Sequence, residues 1–66
     1  MHVELNGEPF EIDEDTSVLT LIERTLGSTR GSAVVVDGTV VPRSDWSATT
    51  LSPGQDVELI TAVQGG

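Results

Sequence analysis

The sequence contains no cysteine and no lysine, only two aromatic residues, Phe10 and Trp46, and only three basic residues, Arg24, Arg30 and Arg43. Without cysteine there is no disulfide to staple the fold, and no thiolate to act as nucleophile or metal ligand. This fits a reducing compartment. Without lysine the chain cannot form lysine-linked chains of itself. Three basic residues against 11 acidic ones give a net charge of -8. Such a surface repels phosphate backbones and argues against nucleic-acid binding. No apolar run approaches the roughly 20 residues that span a bilayer. The N-terminal Met-His-Val-Glu-Leu-Asn-Gly segment has neither the basic region nor the apolar core of a signal peptide. The expectation is therefore a cytoplasmic, soluble domain without a membrane partner.

What is present is enough to fold. Hydrophobic residues make up 36% of the 66 positions, above the level of a disordered acidic tail. A chain of this length supports one domain and buries only about 60% of its unfolded surface, so a deep enclosed active site is not expected. The acidity has two readings, solubility or attraction to a basic docking surface, and charge alone does not choose between them.

Val3-Glu4-Leu5 alternates apolar and polar residues, Asn6-Gly7 follows, and Phe10-Glu11-Ile12 alternates again. This pattern predicts a hairpin turning at Asn-Gly, with Pro9 near its start or on a sheet edge because it lacks an N–H. Thr16 is the expected helix N-cap and Asp15 the second candidate, with the acidic run Asp13-Glu14-Asp15 at the positive helix end. The run could instead hold a metal, but no second ligand cluster accompanies it. Val18, Leu19, Ile22 and Leu26 recur at helical spacing with Leu21 beside the stripe, and Glu23 and Arg24 face water. Gly27 is the expected helix stop. Ala33–Val36 and Thr39–Val41 flank Asp37-Gly38 as a second hairpin, which Pro42 ends. Arg43–Trp46 reads as irregular or as one short helical turn, with the Arg43 guanidinium able to stack on the indole. Ser52-Pro53-Gly54-Gln55 fits a type II turn, and 57–63 is the last strand.

The order hairpin, helix, hairpin, turn, strand predicts an α+β fold of the β-grasp kind. One main helix packs across one face of a small mixed sheet whose first and last strands run parallel. The domain is expected over 1–62, with 63–66 as a flexible C-terminal tail. Along the last strand Ile60 and Ala62 are apolar on the face away from the helix, where Val35 and Val40 can join them. Scattered surface apolar residues are ordinary, whereas a contiguous patch marks a docking face, and docking is the reading adopted. His2 is a lone imidazole with no apparent catalytic partner, and no Ser–His arrangement forms a plausible triad.

Over essentially its whole length the chain resembles the sulfur carrier proteins of thiamine (thiazole) biosynthesis, the ThiS-like members of the ubiquitin-like group. The residues that carry the resemblance are Val3-Glu4-Leu5-Asn6-Gly7, Val18–Ile22, Val36–Trp46 with its Val41-Pro42-Arg43 and Trp46, Leu51–Ile60, and the closing Gly65-Gly66. Pro53-Gly54-Gln55-Asp56 departs from the family's frequent Gly-Asp. The resemblance implies a carrier, not an enzyme, with no bound cofactor, whose reactive group is the carboxylate of Gly66 behind Gly65. An E1-like adenylyltransferase would activate it with ATP, and a sulfur donor such as a cysteine desulfurase, directly or by relay, would convert it to a thiocarboxylate. Thiazole synthase would take the sulfur. Ile60, Ala62, Val63 and Gln64 are the expected partner-binding residues, and the free carrier is expected to be a monomer.

The residues suit that chemistry. An ionised carboxylate has no leaving group until it is adenylated, and glycines without Cβ atoms can thread a narrow channel. From Ala62 to Gly66 an extended chain at about 3.3 Å per residue reaches roughly 16 Å. By chance a terminal glycine pair would occur in about 0.5% of chains. Frayed ends are enriched in glycine, yet together with the fold pattern the pair still favours a carrier. Two alternatives remain open: the small subunit of molybdopterin synthase, which uses the same tail in a lasting complex, and a protein modifier forming isopeptide bonds. A plain interaction domain with an inert tail is a third.

Overall fold

A computed structural model describes residues 1–26 and 31–61 of the chain. The strands are β1 (His2–Leu5), β2 (Glu8–Glu11), β3 (Ser32–Val36), β4 (Thr39–Val40) and β5 (Asp56–Thr61). One α-helix, α1 (Val18–Leu26), follows β2, and a 3-10 helix spans Arg43–Ala48. Among the described residues the strands form one mixed sheet in the order β2-β1-β5-β3-β4.

Both hairpins turn where the sequence predicts. Asn6 and Gly7 have φ of 50° and 85°, and Asp37 and Gly38 have 49° and 83°. Positive φ at both central residues is what a type I′ turn requires, and its twist matches that of the flanking strands. Pro9 sits on β2, an edge strand, opposite Glu4. The Pro53-Gly54 turn also forms, with φ of 79° at Gly54 and a 3.3 Å bond from the Gln55 N–H to the Ser52 carbonyl. Strands β1 and β5 pair in parallel through Glu4 with Asp56 and Leu5 with Val57. Parallel neighbours need a long crossover, and the segment between them supplies α1.

Helix α1 starts later than expected. Its cap is Ser17, whose Oγ accepts the Thr20 N–H at 3.1 Å. Thr16 is instead 6% exposed and donates its hydroxyl to the Asp13 carbonyl at 2.6 Å. Asp15 lies in the left-handed region at φ 64°, within the turn that precedes the helix. An isolated bridge between Ser17 and Thr50 holds Ser17 extended, the backbone state an N-cap needs. The acidic run is thus a turn before the helix, not its cap.

The buried stripe also differs from the expected one. Val18, Leu21 and Ile22 are fully buried and Leu19 only partly, so Leu21 is central where the sequence reading put it at the margin. Glu23 and Arg24 face water as expected. The expected helix stop at Gly27 lies outside the described residues. The helix packs on a sheet face formed by Val3, Val34, Val36 and Val57, with Ile12, Leu51 and Trp46 closing the core. Trp46 comes from the 3-10 helix, is 2% exposed, and donates Nε1–H to the Val41 carbonyl at 2.9 Å. The Arg43 guanidinium lies 5.7 Å from the indole centroid.

Two outcomes follow for stability, both readable by far-UV circular dichroism during urea unfolding. Ser17→Ala should cost about 1 kcal/mol, the usual loss for a hydroxyl cap, while Asp15→Asn stays within about 0.5 kcal/mol because Asn tolerates the same backbone. Trp46→Phe should cost about 1–3 kcal/mol, since the Val41 carbonyl loses its buried donor and the smaller ring leaves space.

Candidate functional site

Strand β5 lies at the centre of the sheet, between β1 and β3, and leads to the C-terminal residues. Val57 and Leu59 point into the core, while Glu58 and Ile60 point to the opposite, open face. Register then sets which side chains share that face. Val35 lies opposite both Val40 and Glu58, and Ala33 lies opposite Ile60. Ile60 is 50% exposed and Val40 64% exposed, with Val35 half-buried between β4 and β5. The expected apolar group of Ile60, Val35 and Val40 therefore exists and gains Ala33. The alternation of β3 would have revealed Ala33, because it precedes inward-facing Val34 and so points outward with Val35.

The other half of the same face is acidic. Glu4 and Asp56 are register partners on β1 and β5, Glu58 follows on β5, and Glu11 and His2 are partners on β2 and β1. Glu11 lies 3.0 Å from the Met1 amino group. That hydrogen bond and the ammonium charge, with a smaller contribution from His2, hold the Glu11 carboxyl below its ordinary range. The open face is thus divided, apolar toward β4 and acidic toward β2.

Three polar side chains fix β5 in ways the local sequence does not announce. The Asp37 carboxylate accepts the Asp56 N–H at 2.9 Å and Gln55 Nε2–H at 3.1 Å, while Gln55 Oε1 accepts the Ser52 N–H at 2.7 Å. The β3–β4 turn is thereby tied to the start of β5, and Gln55, part of the segment that departs from the family pattern, is one of the ties. At the other end Asn6 Oδ1 accepts the Leu59 N–H at 2.9 Å.

Of the residues expected to carry function, Ile60 is on the open face. Ala62, Val63, Gln64, Gly65 and Gly66 lie outside the described residues, as does the expected tail over 63–66. Thr61, the last residue of β5, pairs with Ser32. Among the described residues no pocket is found, no group of three or more His, Cys, Asp or Glu is placed to hold a metal, and no helix is long and apolar enough to cross a membrane.

Known proteins share this arrangement. Residues 3–66 match the model of the ThiS family. The crystal structure of the thiamine biosynthesis protein ThiS from Geobacter metallireducens superposes with a TM-score of 0.82 at 29% identity, covering all of both chains. A solution structure of a thiamine biosynthesis protein from the same organism gives 0.81 at 30% identity, covering 100% of this chain and 88% of that one. An uncharacterized protein, ycf40, from Porphyra purpurea is 30% identical over 64 residues, 97% of this chain and 90% of that protein. With a mixed sheet and one α-helix among its described residues, the chain belongs to the ThiS family of small sulfur carriers with the ubiquitin-like β-grasp fold.

Proposed function

We propose that this chain carries sulfur as a thiocarboxylate on Gly66 for thiazole formation in thiamine biosynthesis. The observation that carries the reading is the Gly65-Gly66 sequence beyond the central strand of a ThiS-family β-grasp domain. The thiamine assignment is supported by the Geobacter metallireducens thiamine biosynthesis protein, similar to this chain in both its crystal and its solution structure.

The carboxylate of Gly66 attacks the α-phosphorus of ATP in an E1-like adenylyltransferase, and pyrophosphate leaves. A sulfur nucleophile then adds to the acyl carbon and AMP leaves. Sulfide gives the thiocarboxylate directly. A persulfide gives an acyl disulfide, which a thiol cleaves to the thiocarboxylate while the thiol is oxidised to a disulfide. Thiazole synthase accepts the sulfur, and the carboxylate returns for another cycle. The chain itself contributes the reacting carboxyl and a body that can be recognised. ATP belongs to the activating partner, and the cycle runs in the cytoplasm.

Recognition falls to the open face. The apolar half of Val35, Val40, Ala33 and Ile60 is suited to bury against the activating enzyme, and Ala62, Val63 and Gln64 are the further partner-binding residues. The acidic half of Glu4, Asp56 and Glu58 steers encounter with a basic rim, an effect that salt screens. The open face is continuous with the strand that leads to the carboxylate, so docking there brings the reacting end to the partner.

ATP–pyrophosphate exchange by the adenylyltransferase, measured against carrier concentration, tests the reading. Removing Gly65-Gly66 should leave the circular dichroism spectrum unchanged and abolish exchange; full exchange by the truncated chain would overturn the proposal. Ile60→Glu should raise KM about tenfold or more with little loss of stability, because it places a charge at the centre of the docking patch on an already exposed site. An unchanged KM would remove the open face from recognition.

A further inference from the structure

Strand β1 pairs with β5 only at Glu4 with Asp56 and Leu5 with Val57, then turns back at Asn6-Gly7. Strand β5 continues to Thr61, paired on its other side with β3 as far as Ser32. Among the described residues, no strand therefore lies beside the β1-facing edge of β5 beyond Val57. Alternate residues of a strand direct their N–H and C=O groups to the same side, and on this side of β5 the groups belong to Val57, Leu59 and Thr61.

Asn6 occupies that gap. Its backbone N–H donates to the Val57 carbonyl at 2.9 Å. Its side chain then faces Leu59, Oδ1 accepting the N–H at 2.9 Å and Nδ2 approaching the carbonyl at 3.5 Å. One primary amide thus meets the donor and the acceptor of one residue, as the backbone of a further strand residue would. The left-handed backbone at φ 50° both closes the hairpin and aims the side chain across to β5. Of the side chains that accept this backbone, only that of Asn is also both donor and acceptor at this length; Asp lacks the donor and Gly lacks the side chain.

We propose that Asn6 is a positioning residue for the carrier reaction: it splints β5 at Leu59 on the side where β1 has ended, and so steadies the strand that presents Gly66 to its partners. The proposal rests on the carrier reading above. Gly66 lies five residues beyond Thr61, the last residue paired with β3. Drawn out inside a partner, five residues span roughly 16 Å, and a swing of about 15° in the strand that carries them moves the end by roughly 4 Å. Misplacement of a reacting atom by far less lowers rates, so the splint acts on delivery of the carboxylate while the open face acts on docking.

The test combines amide hydrogen exchange by NMR with ATP–pyrophosphate exchange. In the unmodified chain the Leu59 amide should be protected to the same degree as amides inside the β3–β5 ladder; exchange at the rate of a free amide would overturn the proposal before any variant is made. Asn6→Gly keeps the turn and deletes the side chain. It should lose Leu59 protection about tenfold or more relative to Val3 and Val34, and lower kcat about tenfold with KM within about twofold. A merely structural role would lower protection throughout the sheet and leave kcat unchanged at a temperature where the variant is folded. Asn6→Asp keeps the acceptor and should keep Leu59 protection and most of kcat; it carries the test should the glycine variant not fold, and loss of Leu59 protection in it would overturn Oδ1 as the holding atom. If the unmodified chain supports no exchange, the carrier reading has failed and the delivery role falls with it. If the unmodified chain is active and the folded glycine variant equals it in kcat, the positioning proposal alone is overturned.

Discussion

The pairing of β5 on both sides, parallel to β1 and antiparallel to β3, is the constraint on which the rest of the molecule depends. It places the last strand at the centre of the sheet, where Val57 is fully buried. A parallel neighbour cannot be reached by a tight turn, so the chain must cross over between β1 and β5. Helix α1 lies in that crossover and covers the inner face. In the sequence, the C-terminal residues follow directly on this central strand. A thin core suffices because its largest member, Trp46, has its one polar atom satisfied by Val41.

The two faces of the sheet divide the work. The inner face is spent on the core. The open face keeps Ile60 and Val40 in water, beside a half that carries Glu4, Asp56 and Glu58. Apolar side chains grouped in this way favour an interface, and neighbouring carboxylates favour encounter with a basic one. In a carrier that presents its own carboxylate, such a division separates holding from delivery. On the proposed reading the head is recognised by its surface, and the strand between presents the reacting group.

Much of this was legible in the sequence because the signals are local. Asn6-Gly7 and Asp37-Gly38 announced their turns through residues that tolerate positive φ, and Pro53-Gly54 did the same. Period-two alternation placed Ile60, Val35 and Val40 on one face. What the sequence concealed depends on distant partners. Ser17 and not Thr16 caps the helix because a bridge to Thr50 fixes its backbone, 33 residues along the chain. Leu21 stands at the centre of the buried stripe because the helix face that meets the sheet is chosen by packing across the core. Asn6 and Asp37 read as turn residues and nothing more, since their second roles reach Leu59 and Asp56 across the sheet. The tail residues named from the sequence, Ala62 to Gly66, lie outside the described residues, and their role rests on chemistry and on the family.

The central claim is that the carboxylate of Gly66 becomes a thiocarboxylate. Tandem mass spectrometry of the intact chain, after incubation with the adenylyltransferase, ATP and sulfide, tests it most directly. The account predicts replacement of one oxygen by sulfur in the fragment containing Gly66, dependent on ATP. A mature chain extending past Gly66, or sulfur incorporated elsewhere or not at all under conditions where the enzyme is active, would contradict it.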